Sequence, residues 1–155
     1  TQIKAKNPSV IFLNIWISQI GTALRQLSEQ SINKPIFSNF WVAKKDVIAA
    51  AGPTAEGVLF SEMSLAALPK FNQAVEATNG GKPSGATLSA YAATKLLLQT
   101  MAQHSGIHSP SELQTALIAQ KSIPLADMDL PINDRVIQFP VGMKVIKDGK
   151  AIPAE

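Results

Sequence analysis

The sequence predicts an α/β fold built on a parallel sheet, and three observations carry that prediction. Val10-Ile-Phe-Leu-Asn-Ile-Trp16 is an almost unbroken apolar run, the pattern of a strand buried on both faces, as in parallel sheets. After it, short β-rich runs alternate with helical patterns as far as about residue 61. At 155 residues, 46% hydrophobic and 16% charged, the chain is also long and apolar enough to fold around a core.

Asn7 and Pro8 introduce the first strand. Ser18 is expected to cap the helix that follows, where Ile20, Ala23, Leu24 and Leu27 recur at helical spacing and Arg25, Gln26 and Glu29 fall opposite. Pro35 to Ser38 reads as a second strand, Lys45 to Ala51 as a short helix stopped by Gly52-Pro53, and Gly57 to Phe60 as a third strand. The order is β-α-β-α-β. Right-handed crossovers make such strands parallel and set their C-terminal ends along one rim, where open α/β sheets bind ligands.

Beyond Glu62, helices are expected at about Pro69 to Thr78, Thr87 to Gln103 and Pro110 to Gln120. The last has Ser109 as cap, Pro110 in its first turn and Glu112 three residues after the cap. Pro124 to Pro131 reads as a surface loop in which Asp127 and Asp129 are solvated acids. Arg135 to Phe139 and Gly142 to Ile146 are β-like, and Asp148-Gly149 is a tight hairpin turn before Ala151-Ile152. Three parallel strands with few helices, and later helices with no sheet to cover, make incomplete layers. The expectation is a piece of a larger α/β protein, poorly stable in isolation.

Several chemistries lack support. The charge of +3 is dispersed, with Lys44-Lys45 as its adjacent basic pair, so the basic stripe of a nucleic-acid binder is missing. Without cysteine there is no disulfide framework and no thiolate zinc site. Apolar runs fall well short of the roughly 20 residues of a membrane-spanning helix, and any export signal is expected upstream. His104 and His108 have the spacing of a helical metal pair, but Gly106 and the loop-like stretch from Ser105 to Pro110 break the helix. Gly80-Gly81-Lys82-Pro83-Ser84 is a turn, because proline follows the lysine and the upstream glycine of a phosphate loop is missing. No nucleophile elbow, dinucleotide fingerprint or metal-ligand set is present. The sequence therefore predicts no cofactor and no enzyme, a doubly wound enzyme being the reading it supports least.

Taken in order, Asn7 to Leu13, Ile20 to Gln26, Lys34 to Ile36, Ala55 to Phe60, Pro69 to Asn72, Ala90 to Leu98, Ser109 to Leu117 and Val145 to Lys150 resemble the C-terminal portion of type I periplasmic solute-binding proteins of ABC importers. These include branched-chain amino-acid-binding members. The resemblance implies two flavodoxin-like lobes joined by three crossing segments, with the ligand trapped by hinge closure. It makes residues 1–61 the second half of lobe two, 62–68 an interlobe crossing, 69–130 the helical part of lobe one, and 131–155 the C-terminal β segments and final crossing. The rest of both lobes would lie outside this sequence.

The implied function is a receptor that delivers a small molecule to an ABC transporter permease: an aromatic carboxylate, an amide or an amino-acid-like metabolite. Such a receptor is periplasmic, or extracellular and lipid-anchored, and is not membrane-embedded. The alternative is a ligand-sensing domain of a receptor or transcription regulator with the same fold.

Candidate ligand-binding residues lie at the expected rim. Asn14 and Trp16 end the first strand, and Ser18 opens a helix whose free N–H groups favour an anionic ligand group. The bland reading of Trp16 is a core aromatic. Ser38, Asn39, Phe40 and Trp41 follow the second strand, where branched-chain relatives carry an acid that holds the ligand's α-ammonium; here that position falls at or near Phe40. A buried ammonium without a carboxylate is costly, so the exchange points away from an ordinary α-amino acid and toward a stacking or cation–π pocket. Packing between lobes is the other use of these aromatics. Ser61 and Glu62 end the third strand where the chain would cross, so they either touch the ligand, Glu62 replacing the lost acid, or line the hinge.

Overall fold

A computed structural model describes residues 2–104 and 106–154; the first residue of the expected domain 1–61, the last of 131–155, and Ser105 of the expected loop lie outside the described residues. The chain divides into two compact units, one formed by residues up to Glu62 together with those from Val141 onward, the other by Met63–Pro140.

In the first unit, α1 (Gln2–Lys6) leads to β1 (Ile11–Leu13), α2 (Ile17–Glu29), β2 (Ile36–Ser38), a 3-10 turn over Phe40–Ala43, α3 (Lys45–Ala51) and β3 (Leu59–Met63). Leu13 lies opposite Ser38 and Ser38 opposite Phe60, so β1, β2 and β3 are parallel, as expected. Ile20, Leu24 and Leu27 bury the predicted face of α2 against Ile11, Leu13, Val47 and Phe60. Gly21 is buried in the same helix; a Cβ there would lie 2.9 Å from Ala50 Cβ and 3.2 Å from Ala51 N, so only glycine lets α3 approach this closely.

Two expectations fail here. The first strand is buried on one face only: Ile11 and Leu13 face the core, while Phe12 is 66% exposed. Continuous apolarity overstated the burial because α2 and α3 pack on the Ile11–Leu13 side, and residues 2–62 supply no helix to cover Phe12. Ser18 is not a cap, since α2 begins at Ile17 with Trp16 at the capping position.

The second unit contains α4 (Pro69–Asn79), α5 (Gly85–Gln103), α6 (Pro110–Ala119) and a three-stranded antiparallel sheet of β4 (Ser122–Pro124), β5 (Asp129–Asn133) and β6 (Val136–Ile137). This narrows the expected loop from Pro124 to Pro131 to residues 125–128, its two ends being strand, and the helices do have a sheet of their own. Ile123 and Leu130 from that sheet close over Ala92 of α5. Leu68, Phe71 and Leu88 form a neighbouring cluster with Leu125 and Phe139. Asp127 is no free surface acid, because its two carboxylate oxygens accept the N–H groups of Lys70 and Phe71 at 2.9 Å each. The capping box of α6 forms as read, with Ser109 Oγ accepting from Glu112 N at 3.2 Å and Glu112 Oε2 from Ser109 N at 3.2 Å.

Returning to the first unit, β7 (Val141–Lys147) and β8 (Lys150–Pro153) extend the parallel strands to the order β1-β2-β3-β7-β8. Asp148 and Gly149 have φ of 52° and 66°, the left-handed pair that a two-residue hairpin needs. Glu56 clamps the turn by accepting from Asp148 N at 2.8 Å and Gly149 N at 2.7 Å.

Candidate functional site

Because β1, β2 and β3 are parallel and in register, their C-terminal ends bring Asn14, Asn39 and Ser61 to one edge of the first unit. The backbone there is held by side chains. Asn39 Nδ2 donates to Asn14 Oδ1 at 3.3 Å and to Ile15 O at 3.0 Å, while its Oδ1 caps the 3-10 turn by accepting from Trp41 N at 3.2 Å. Ser38 is buried and its hydroxyl donates to Leu13 O at 3.2 Å. Ser38 and Asn39 thus tie the end of β1 to the end of β2.

Aromatic groups sit on this frame. Phe40 and Trp41 stack with ring centroids 4.5 Å apart at 34°. Trp41 leans on the hydrophobic core, whereas Phe40 is exposed. Lys44 Nζ stands 5.6 Å from the Trp41 ring centre, within cation–π range. Trp16 is 69% exposed, which removes the reading of it as a core aromatic; among the described residues no ring stacks on it. It offers no side-chain acceptor to α2, so the helix start that carries the exposed Ser18 has no side-chain cap.

Glu62, partly buried, pairs with Lys144 of β7. Asp46 lies in the first turn of α3, where the helix N-terminus favours its charge. The structure therefore brings together Asn14, Ser38, Asn39, Phe40 and Trp41, sets Trp16 and Ser18 at the start of α2, and commits Glu62 to an ion pair. Lys44 and Lys144 are additions that the sequence reading passed over. Lys44 was visible three residues after Trp41; Lys144 becomes relevant only when β7 docks beside β3.

In the second unit, His108 donates its backbone N–H to Glu112 at 2.8 Å, and His104 is exposed at the end of α5. Among the described residues no group of three or more His, Cys, Asp or Glu could hold a metal, and no helix is long and apolar enough to cross a membrane.

A family model described as periplasmic binding protein matches residues 1–135. No curated protein matches the chain. A leucine-binding protein from Thermotoga maritima superimposes with a TM-score of 0.74 at 18% identity, covering 99% of this chain and 47% of its own. The substrate-binding protein of a branched-chain amino acid transporter from Streptococcus pneumoniae, in complex with isoleucine, gives 0.65 at 20% identity over 99% of this chain and 46% of its own. A solute-binding protein of an ABC transporter from Rhodopseudomonas palustris, in complex with benzoate, gives 0.65 at 18% over 98% and 44%. The chain spans slightly under half the length of each of these structures, and the likeness is one of fold.

Proposed function

This chain belongs to the periplasmic binding protein family and carries part of its type I fold, and on that premise we propose that the intact protein is a solute receptor of an ABC importer. It acts by gripping its ligand, closing two lobes over it and presenting it to the permease, in the periplasm or lipid-anchored outside the cell. Residues 1–61 serve as the second half of lobe two and 69–130 as the helical part of lobe one, with the chain crossing between lobes at 62–68 and again in the C-terminal β segments of 131–155.

The ligand we propose is a small aromatic carboxylate or its amide, and one observation carries this. Exposed Trp16 and the stacked Phe40–Trp41 pair stand at the ends of adjacent parallel strands, with Lys44 over the ring of Trp41. Large aromatic surface left in water at a frame made rigid by Asn39 is suited to enclosing an apolar ligand body. Cationic Lys44 and the uncapped start of α2 suit an anionic end. Asn14 and Ser18 contribute amide and hydroxyl groups that orient the polar end, on strand ends that Ser38 and Asn39 tie together.

A thermal-shift screen of the intact protein tests this. Benzoate or benzamide at about a hundred times its dissociation constant should stabilise the protein by about 2.7 kcal/mol. Stabilisation by leucine and isoleucine with none from aromatic acids or amides would overturn the ligand class.

A further inference from the structure

Among the described residues that end β1, β2 and β3 (Asn14 to Trp16, Asn39 to Trp41 and Ser61 to Met63), Glu62 is the only acid, and its partner comes from the far side of the chain. Phe60 and Glu62 are two apart on β3, and Lys144 and Ile146 are two apart on β7, so each pair faces one side of the sheet. Phe60 and Ile146 are fully buried. The Glu62–Lys144 pair extends the same row to where the core gives out, with side chains about one-third exposed. Their stems continue the apolar row and their charged heads reach water at its end.

We propose that Lys144 sets the charge class of solute that the strand ends accept, by withholding Glu62 from a ligand's ammonium group. This rests on the reading of the strand ends as the ligand site. A partly exposed ion pair contributes little to stability, but it cancels the carboxylate electrostatically. An α-amino acid would have to take Glu62 from Lys144, exchanging one ion pair for another and leaving the lysine's charge uncompensated. An aromatic carboxylate meets no free negative charge on the strand ends, and the ammonium of Lys144 keeps donors beyond the one Glu62 uses.

Titration calorimetry on the intact protein, with benzoate and leucine as probes, tests the assignment. Lys144→Met and Lys144→Gln should each raise the ratio of leucine to benzoate affinity about tenfold or more. Glu62→Gln, which approaches the same pair from the other side, should move the ratio toward benzoate. Lys144→Arg and the double variant Lys144→Met with Glu62→Gln should stay near wild type. An unchanged ratio in Lys144 variants whose circular dichroism shows a native fold overturns the proposal, and so does a rise that persists in the double variant. A leucine gain on substituting Lys144, in a protein that never binds benzoate, supports the role of Lys144 and overturns the aromatic-acid reading instead.

Discussion

Asp127 closes a helix that begins more than fifty residues before it, its Oδ2 accepting the N–H of Phe71 at 2.9 Å while Oδ1 takes that of Lys70. The capping position of α4 is Leu68, which has no acceptor of its own, so the carboxylate satisfies N–H groups that would otherwise lack partners. Asp127→Ala should cost about 1–2 kcal/mol, measured by urea unfolding. Asp129→Ala, at an exposed strand position, should stay within about 0.5 kcal/mol. Equal costs would refute this division of roles.

Gly21→Ala brings a methyl group to 2.9 Å from Ala50 Cβ, with the Ala51 backbone nitrogen at 3.2 Å behind it. Helix propensity alone would favour the alanine. Steric conflict between α2 and α3 should outweigh that gain, giving a net loss of about 1–3 kcal/mol. A higher melting temperature in this variant would show that the helices separate freely.

Glu112 accepts the His108 and Ser109 backbone N–H groups. The bond from His108 does most to hold its carboxyl below the usual glutamate range; desolvation opposes it, and the bonds with Ser109 add to the lowering. Because the folded-state value is depressed, the stabilisation is fully present above the usual range and disappears as the pH falls through the lower folded value. An NMR titration of the Glu112 carboxyl should give a midpoint below that of a model peptide, and amide exchange at the start of α6 should quicken in acid. A Glu112 midpoint at or above the peptide's would contradict the cap.

Trp16 and Trp41 should separate stability from binding. Trp16 is mostly in water, so Trp16→Ala should change stability by less than about 0.5 kcal/mol yet weaken benzoate binding about tenfold or more. Trp41 rests on the core, and Trp41→Ala should cost about 2 kcal/mol as well as affinity. Unfolding and calorimetry on the same samples check both; a Trp16→Ala protein with unchanged benzoate affinity would remove that residue from the site.

Features written in short stretches of chain were legible. The helical stripe of Ile20, Leu24 and Leu27, the Ser109–Glu112 box and the left-handed Asp148-Gly149 turn each depend on neighbours within about one or two turns, and all formed. The strand residues at Pro124 and at Asp129 to Pro131 are hidden in the sequence, because Ser122–Pro124 and Asp129–Asn133 are short and carry proline, which is weak strand signal until they pair with each other. The shared edge that carries the candidate site was legible from the strand order, but the bonds within it were not. Asn39 bonds back to Asn14 and Ile15, and Glu62 finds Lys144 in a strand 82 residues later; no local pattern encodes a partner at that separation.

Ser64 N–H donates to Pro140 O at 2.7 Å, so the two ends of the 63–140 unit meet. Before that unit forms, docking β7 against β3 means closing a loop of roughly 80 residues, an entropic cost that grows with the logarithm of length. Afterwards the same docking amounts to closing a short turn. Refolding should therefore show residues 63–140 protected from hydrogen exchange before Ile146 acquires its bonds to Gly57 and Val58.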